Sequence, residues 1–163
     1  MDDLFAPPGA PWQRVSPRLA VVRRWLLLVA TVLALAAIVT LHVLLDGPVP
    51  LLVGPLVVLA ALVGWGWWLI GRNARRWGYA EEPEELYITR GALFRKLVVV
   101  PYGRMQYVDV EAGPLDQANG IAKLHLHTAS PGTTAVIPGL AAEEAARLRD
   151  RLTALGEAQA AGL

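Results

Sequence analysis

The stretch LLDGPVPLL, residues 44–52, separates the two most apolar runs of the chain. Its Asp46 is the only acidic or basic residue, histidine aside, between Trp25 and Ile70. The runs 25–45 and 49–70 are each about 20 residues long, and a helix of that length crosses the ~30 Å hydrocarbon layer of a bilayer. One helix over both runs would be ~70 Å long and would carry Asp46 and prolines in hydrocarbon. The stretch therefore predicts the turn of a two-helix transmembrane hairpin.

The turn itself is predicted at Asp46, Gly47 and Pro48. Aspartate bonds its own backbone, glycine permits a positive φ, and proline stops the first helix from continuing. A cleaved signal peptide is the alternative interpretation of the first run. That run is longer than the 7–15 residues of a signal core, and a second span follows at once.

Basic residues flank the hairpin on both sides and are missing from its turn. These topology determinants are Arg14, Arg18, Arg23, Arg24, Arg72, Arg75 and Arg76. By the positive-inside rule they predict that both termini are cytoplasmic and that the protein crosses the membrane twice. Five tryptophans at the same ends are expected to form an interfacial belt. They are Trp25, Trp65, Trp67, Trp68 and Trp77.

Composition divides the chain into segments. Residues 1–20 are proline-rich and are expected to form an irregular cytoplasmic arm, residues 21–77 the hairpin, and the acidic residues 78–85 a solvated linker. Within the second span, Ala60 and Gly64 form a small-xxx-small pair. Such a pair lets helices approach closely, which favours packing within the hairpin and also permits a homo-oligomer.

Residues 86–156 are predicted to form a small cytoplasmic α+β domain. Five short runs rich in Val, Ile, Leu and Tyr, separated by Gly or Pro, indicate an antiparallel meander, with one break at 130–132. In residues 123–127, leucines alternate with Lys and His, which indicates one face toward a core. Ala145, Leu148, Leu152 and Leu155 recur at helical spacing and predict a C-terminal amphipathic helix. Residues 157–163 are expected to fray.

Several segments carry a family resemblance that covers most of the chain. After the hairpin come LYITRGALFRK (86–96), VVVPYGRMQYVDVEAGPL (98–115), GIAKLHLHTAS (120–130), VIPGL (136–140) and EAARLRDRL (144–152). In this order they resemble the bacterial pleckstrin-homology-like (PH-like) membrane proteins of the second type, a family of unknown function. The resemblance implies a PH-like sheet closed by the C-terminal helix, and a bacterial plasma (inner) membrane. It supplies no catalytic residues.

Little in the sequence points to catalysis or to a cofactor. There is no cysteine, and the only serines, Ser16 and Ser130, stand outside any nucleophile motif. A net charge of +1 with dispersed basic residues argues against a nucleic-acid partner. His125 and His127 point the same way from one strand, and Asp109 or Glu111 could add a metal ligand. Two histidines on a solvated strand are the simpler interpretation, so we expect no metal, no cofactor and no enzyme activity.

Three functions remain open. The leading one is an adaptor, anchored in the lipid bilayer, whose module docks another membrane protein. The alternative is a sensor of anionic lipid or phosphate headgroups at the inner leaflet. Its candidate contacts are Arg90, Arg95, Lys96 and Arg104. A transporter fragment is the third hypothesis, although two spans without internal charges make a poor pathway.

Overall fold

The computed structural model describes residues 5, 7, 9–128 and 135–160, of which Ala160 is described in its backbone only. Two helices follow a short first strand: β1 is Gln13–Arg14, α1 is Arg18–Leu44 and α2 is Pro50–Arg76. The remaining elements are β2 Gly78–Glu81, β3 Glu85–Arg90, β4 Lys96–Pro101, a 3-10 turn Tyr102–Arg104, β5 Met105–Glu111, α3 Pro114–Ala118, β6 Ile121–Thr128, β7 Ala135–Ala141 and α4 Ala142–Ala160. The break predicted at 130–132 lies outside the described residues.

Two compact units divide the chain, and residues 20–72 form the helical one. Both of its helices are long and apolar enough to cross a membrane, and none of the most apolar 18-residue window of either is buried within the protein. Large apolar side chains such as Leu33, Leu44 and Trp65 are therefore exposed to whatever surrounds the helices. Exposure of this extent suits lipid as the surrounding solvent.

The turn of the hairpin differs from the prediction in one detail. The positive φ is at Asp46 (φ 46°), and Gly47 is not in the left-handed region. Aspartate tolerates this conformation better than most residues because its short side chain bonds locally. A Cβ at Gly47 would make a tight contact with the His42 side chain, 3.1 Å from its Nδ1 atom.

Contact between the two helices does not use the predicted small pair. A Cβ added at Gly64 would meet nothing within 4 Å, whereas one added at Gly66 would lie 3.5 Å from the Leu27 side chain. Packing within the hairpin at Gly64 was thus a wrong prediction, and the close approach is at Gly66. One cation–π contact between the helices adds to it, with the Arg24 guanidinium 4.6 Å from the Trp67 ring centroid.

The second unit, residues 1–19 and 73–163, contains two antiparallel sheets. One has the strand order β1-β2-β3-β4 and the other β5-β6-β7. The predicted fold class is confirmed: a helical hairpin followed by antiparallel sheets and a C-terminal helix. Two strands were missed. β2 occupies residues that were predicted to form a solvated acidic linker, because Gly78–Glu81 pairs along its whole length with β3.

The N-terminal arm was also predicted wrongly, since it is part of the folded unit. β1 pairs with β2 in the register Gln13↔Tyr79 and Arg14↔Gly78. Just after it, the Ser16 amide donates to the Gly139 carbonyl at 2.8 Å. Val15 and Leu19 are buried in the same core as the later strands. Two segments that are separated by the whole hairpin therefore complete one sheet.

The core lies between the sheets and α4. Leu124 and Leu126 of β6 are fully buried, as the alternation in that strand predicted, and so are Leu148 and Leu152 of α4. Trp77 belongs to this core as well. Its prediction as an interfacial anchor was wrong, because it is 7% exposed and its Nε1 donates to Asn73 Oδ1 at 2.8 Å. α4 extends to Ala160 and includes four residues that were expected to fray.

A charged cluster fastens α4 to the first sheet. Glu81 of β2 has an 8% exposed side chain and lies 2.6 Å from Arg147 and 2.9 Å from Arg151, both in α4. Arg147 also contacts Glu144, and its hydrogen bond holds the pKa of that carboxyl below the ordinary value. Burial, together with a hydrogen bond to Glu144, raises the pKa of Tyr79. Glu81 is thus a structural residue, and the acidic run is not simply solvated.

Gly139 is the glycine on which this packing depends most directly. Its φ is +71°, and a Cβ there would lie 2.7 Å from the Leu19 Cβ. We expect Gly139→Ala to destabilise the sheet unit by about 1–3 kcal/mol, because it adds both a left-handed alanine and a clash. Hydrogen–deuterium exchange of the full chain in detergent should show faster exchange throughout β6 and β7.

Gly156→Ala is the matched control for that change. Gly156 lies in α4, and its added Cβ would make only ordinary contacts, at 3.7 Å to the Tyr102 carbonyl and 3.8 Å to Met105. This variant should leave exchange unchanged or slow it, since alanine is the better helix former. Equal protection of β7 in both variants would contradict the packing of Leu19 on Gly139.

Candidate functional site

A pocket of about 430 Å³ opens on the sheet unit, and half of the described residues that line it are arginines. Its lining comprises Phe5, Trp12, Arg14, Arg75, Arg76, Gly78, Thr89, Arg90, Gly91 and Arg95. None of these ten residues is acidic. Arginine keeps its charge at any physiological pH and offers five donors in a planar fork. The lining is therefore suited to an anion.

Strand register explains why the pocket forms where it does. Arg14, Gly78 and Thr89 lie side by side on β1, β2 and β3. Glycine in the middle of this row leaves a gap between the two flanking side chains, and the gap opens onto the backbone. A Cβ at Gly78 would lie 3.1 Å from the Gln13 carbonyl oxygen. The missing side chain thus creates the floor of the pocket.

Two of the arginines have contacts that orient them. One guanidinium nitrogen of Arg14 donates to the carbonyl oxygen of Arg75, near the C-terminal end of α2. The Arg90 guanidinium lies 5.8 Å from the centroid of the buried Trp77 ring. A guanidinium that is already positioned loses less side-chain entropy when it binds a ligand. Both residues are therefore prepared for contact with an anion.

Trp12 forms one apolar wall of the pocket. Its ring stacks on Tyr87 of β3 with centroids 6.4 Å apart, and its Nε1 donates to the Pro7 carbonyl at 3.2 Å. Phe5 lines the pocket as well. The cavity thus combines positive charge with aromatic surface, and its volume is in the usual range for small-ligand sites.

Charge is segregated along the first sheet. Because β2 and β3 are antiparallel with Gly78 opposite Thr89, the β3–β4 loop lies at the end of the sheet where the chain leaves α2. The arginines of the pocket gather at that end. The β2–β3 turn, with Glu82 and Glu84, lies at the opposite end. One end of the sheet is thus basic and the other acidic.

Comparison with known proteins agrees with this architecture. Residues 18–155 match the family model described as "Bacterial PH domain". The chain belongs to this family. It is also 38% identical over 79 residues to UPF0699 transmembrane protein YdbS of Bacillus subtilis (strain 168), an alignment covering 48% of this chain and 48% of that protein. The chain thus matches about half the length of this curated relative. No solved structure matches the chain.

These findings make the protein a transmembrane member of the bacterial PH domain family. The prediction of the family from the sequence is confirmed, as is the membrane hairpin with a PH-like domain. Neither the family description nor the name of the relative states a catalytic activity. What the pocket binds is a separate question, because neither description names a ligand.

The structure brings together two of the four predicted headgroup contacts. Arg90 and Arg95 line the pocket. Lys96 is the exposed first residue of β4, opposite Arg90, and is not among the lining residues. Arg104 is exposed in the 3-10 turn and also does not line the pocket. The assignment of all four to lipid headgroups stays a prediction.

Three lining arginines were taken from the sequence only as signals of topology. Arg14 precedes the hairpin, whereas Arg75 and Arg76 follow it, and the structure places all three around one cavity. Their position on both sides of the hairpin could have indicated the site. Charged residues that flank a hairpin must come close together if the flanking segments pair. The pairing itself was not apparent, because β1 is two residues long.

The two histidines of β6, His125 and His127, are not arranged as the ligands of a metal ion. His125 Nε2 lies 3.3 Å from Glu111, and His127 Nε2 lies 3.5 Å from Asp109. The His127 ring also stacks on Tyr107 with centroids 4.2 Å apart. Each imidazole thus has its own carboxylate on β5. Within the described part of the chain, no group of three or more His, Cys, Asp or Glu residues is placed to hold a metal ion.

Proposed function

We propose that the module is a non-enzymatic binding domain whose arginine pocket holds the phosphate of an anionic headgroup at the cytoplasmic face of a bacterial plasma membrane. The observation that supports it most strongly is the convergence of five arginines on one cavity. Bidentate arginine contacts to phosphate are among the strongest polar interactions in proteins. Aromatic walls suit the apolar part of a headgroup or its glycerol.

Covalent connection supports a membrane ligand over a soluble one. Arg75 and Arg76 follow the second apolar run within six residues of Ile70, and α2 continues without interruption to Arg76. In the chain, these two arginines are therefore only five and six residues from the end of the apolar run. A headgroup of the same leaflet is therefore available at high effective concentration.

Removing two pocket arginines tests the proposal. In Arg14→Gln/Arg90→Gln we expect binding of glycerol 3-phosphate to the full chain in phosphatidylcholine nanodiscs to weaken at least about tenfold, because charge-assisted hydrogen bonds contribute roughly 1.5–3 kcal/mol each. Isothermal titration calorimetry measures this. The full chain is required, because a fragment beginning at residue 80 would lack β1 and half of β2.

Lys96→Gln/Arg104→Gln is the matched control, since it removes the same charge outside the pocket. It should leave the dissociation constant within about twofold, because neither side chain lines the pocket and both are exposed to solvent, where salt screens their charge. Equal weakening in both double variants would mean that net charge and not the pocket governs binding. Inorganic phosphate, titrated in parallel, separates recognition of a bare phosphate from recognition of a headgroup.

Orientation is tested with the same protein. The chain contains no cysteine, so Asp46→Cys and Leu115→Cys each introduce one labelling site. We expect a membrane-impermeant maleimide to label position 46 from outside intact spheroplasts and position 115 only after permeabilisation, because arginines flank the spans on the cytoplasmic side. Labelling of both positions from the same side would contradict the proposed topology.

Docking of another membrane protein is the second candidate, and one feature favours a particular place for it. A groove of about 310 Å³ runs between β5 and α4, lined by Met105, Gln106, Tyr107 and Val108 on one side and by Leu152, Thr153, Gly156 and Glu157 on the other. β5 is an edge strand of its sheet. An edge strand beside a groove with both apolar and polar lining residues suits an extended peptide added as a further strand.

A photo-crosslinking residue at Gln106 tests this candidate in intact cells. We expect it to capture one defined membrane protein and Thr153→Trp to abolish that adduct, because the larger side chain fills the groove. A crosslinker at the exposed Val99 of β4 serves as the control. The same adduct from position 99, or its persistence in Thr153→Trp, would argue against docking in this groove.

A further inference from the structure

The loop between β3 and β4 exposes two large apolar side chains next to the pocket. Leu93 is 59% exposed and Phe94 is 89% exposed. Ala92, one residue earlier, is buried. The loop is therefore attached to the fold at Ala92 and projects its most apolar residues outward, which is the reverse of what a water-facing loop requires.

The backbone conformation of the loop fixes the outward position of Leu93 and Phe94. Gly91 has a φ of +112°, and a Cβ there would lie 1.7 Å from the Phe94 carbonyl oxygen. Only glycine permits the two backbone segments to approach so closely. Arg90 and Lys96 pair across the base of the loop. The turn is thus compact, and the positions of Leu93 and Phe94 follow from it.

We propose that the tip Leu93–Phe94 inserts into the interfacial layer of the bilayer that holds the hairpin. Three cations, Arg90, Arg95 and Lys96, flank the tip, and residues 90–96 contain no acidic side chain. An apolar tip with a cationic border is the chemistry that binds the boundary between anionic headgroups and acyl chains.

The position of the loop in the sheet also supports insertion of the tip into the bilayer. It lies at the basic end of the first sheet, where the chain leaves α2, and Gly91 and Arg95 share the pocket lining with Arg75 and Arg76. The acidic β2–β3 turn lies at the other end. A single apolar tip binds lipid weakly by itself, and the two helices of the chain supply the necessary second anchor.

The experiment places a fluorophore on the tip. Leu93→Cys, labelled with bimane in the full chain and incorporated into phosphatidylcholine nanodiscs, should be quenched by lipids with a doxyl group near the headgroup. We expect several times more quenching than for bimane at Leu115→Cys, which is also an exposed apolar position. Anionic lipid in the nanodisc should increase the quenching at position 93 further.

A second substitution separates insertion of the loop from insertion of the label. Phe94→Asp in the labelled protein should remove most of the quenching, and the 89% exposure of Phe94 means that the fold does not depend on this side chain. Quenching that is absent at position 93, equal at position 115, or unchanged by Phe94→Asp would overturn the proposal. Disulfide-linked pairs of unlabelled Leu93→Cys chains, formed in place of quenching, would assign the tip to a second copy.

Insertion of the tip Leu93–Phe94 is independent of ligand binding in the arginine pocket. In neutral nanodiscs, Arg14→Gln/Arg90→Gln should keep at least half of the quenching at position 93, because Leu93 and Phe94 supply the apolar contact. Loss of quenching in this variant would contradict an apolar insertion and would assign the approach to the membrane to charge alone. Binding of glycerol 3-phosphate, measured separately, reports on the pocket.

Discussion

The pairing of β1 with β2 is the constraint on which the rest of the structure depends. Gln13 and Tyr79 face each other in one sheet, although the whole hairpin separates them in the chain. Two segments can share a sheet only if they lie on the same side of the membrane. The number of crossings between them must therefore be even, and a hairpin meets this requirement where a single span would not. The sheet and the two spans are thus mutually dependent.

The same pairing also accounts for the arginine pocket. The positive-inside rule predicts that arginines before and after a hairpin stay on the cytoplasmic side. When the flanking segments pair, these charges must collect at one end of the sheet, as Arg14 does beside Arg75. Clustered cations repel one another, so an anion at this place is stabilising. A site that binds phosphate can thus arise from residues whose first effect is on orientation.

Elements of regular period could be predicted from the sequence, and elements that depend on distant partners could not. The two apolar runs and the amphipathic α4 carry their pattern within themselves. β1 and β2 do not, because a strand of two residues and the segment GYAE have no periodicity of their own. Glu81 is the clearest example: among other glutamates it suggests a solvated linker, yet it is held by Arg147 and Arg151 of α4.

Only part of the pocket could be predicted from the sequence, because some of its residues meet only through pairing of distant segments. Arg90 and Arg95 lie within one β-hairpin, so local sequence is sufficient to bring them together, whereas Arg14 and Arg76 meet them only through the sheet. The exposed apolar side chains of the β3–β4 loop were also missed. Leu93 and Phe94 belong to an apolar run that predicts a strand, and only the structure shows that they lie in an exposed loop before β4.

Phosphate recognition, tip insertion and strand docking need not compete, because they use different surfaces of the unit. The pocket and the tip lie at the basic end of the first sheet, whereas the groove beside β5 belongs to the second sheet and α4. Headgroup and tip contacts would restrict the orientation of the module relative to the bilayer. A restricted orientation reduces the entropy that is lost when a partner in the same membrane binds the edge of β5. Lipid contact at one sheet would therefore strengthen docking at the other without any change in the groove itself.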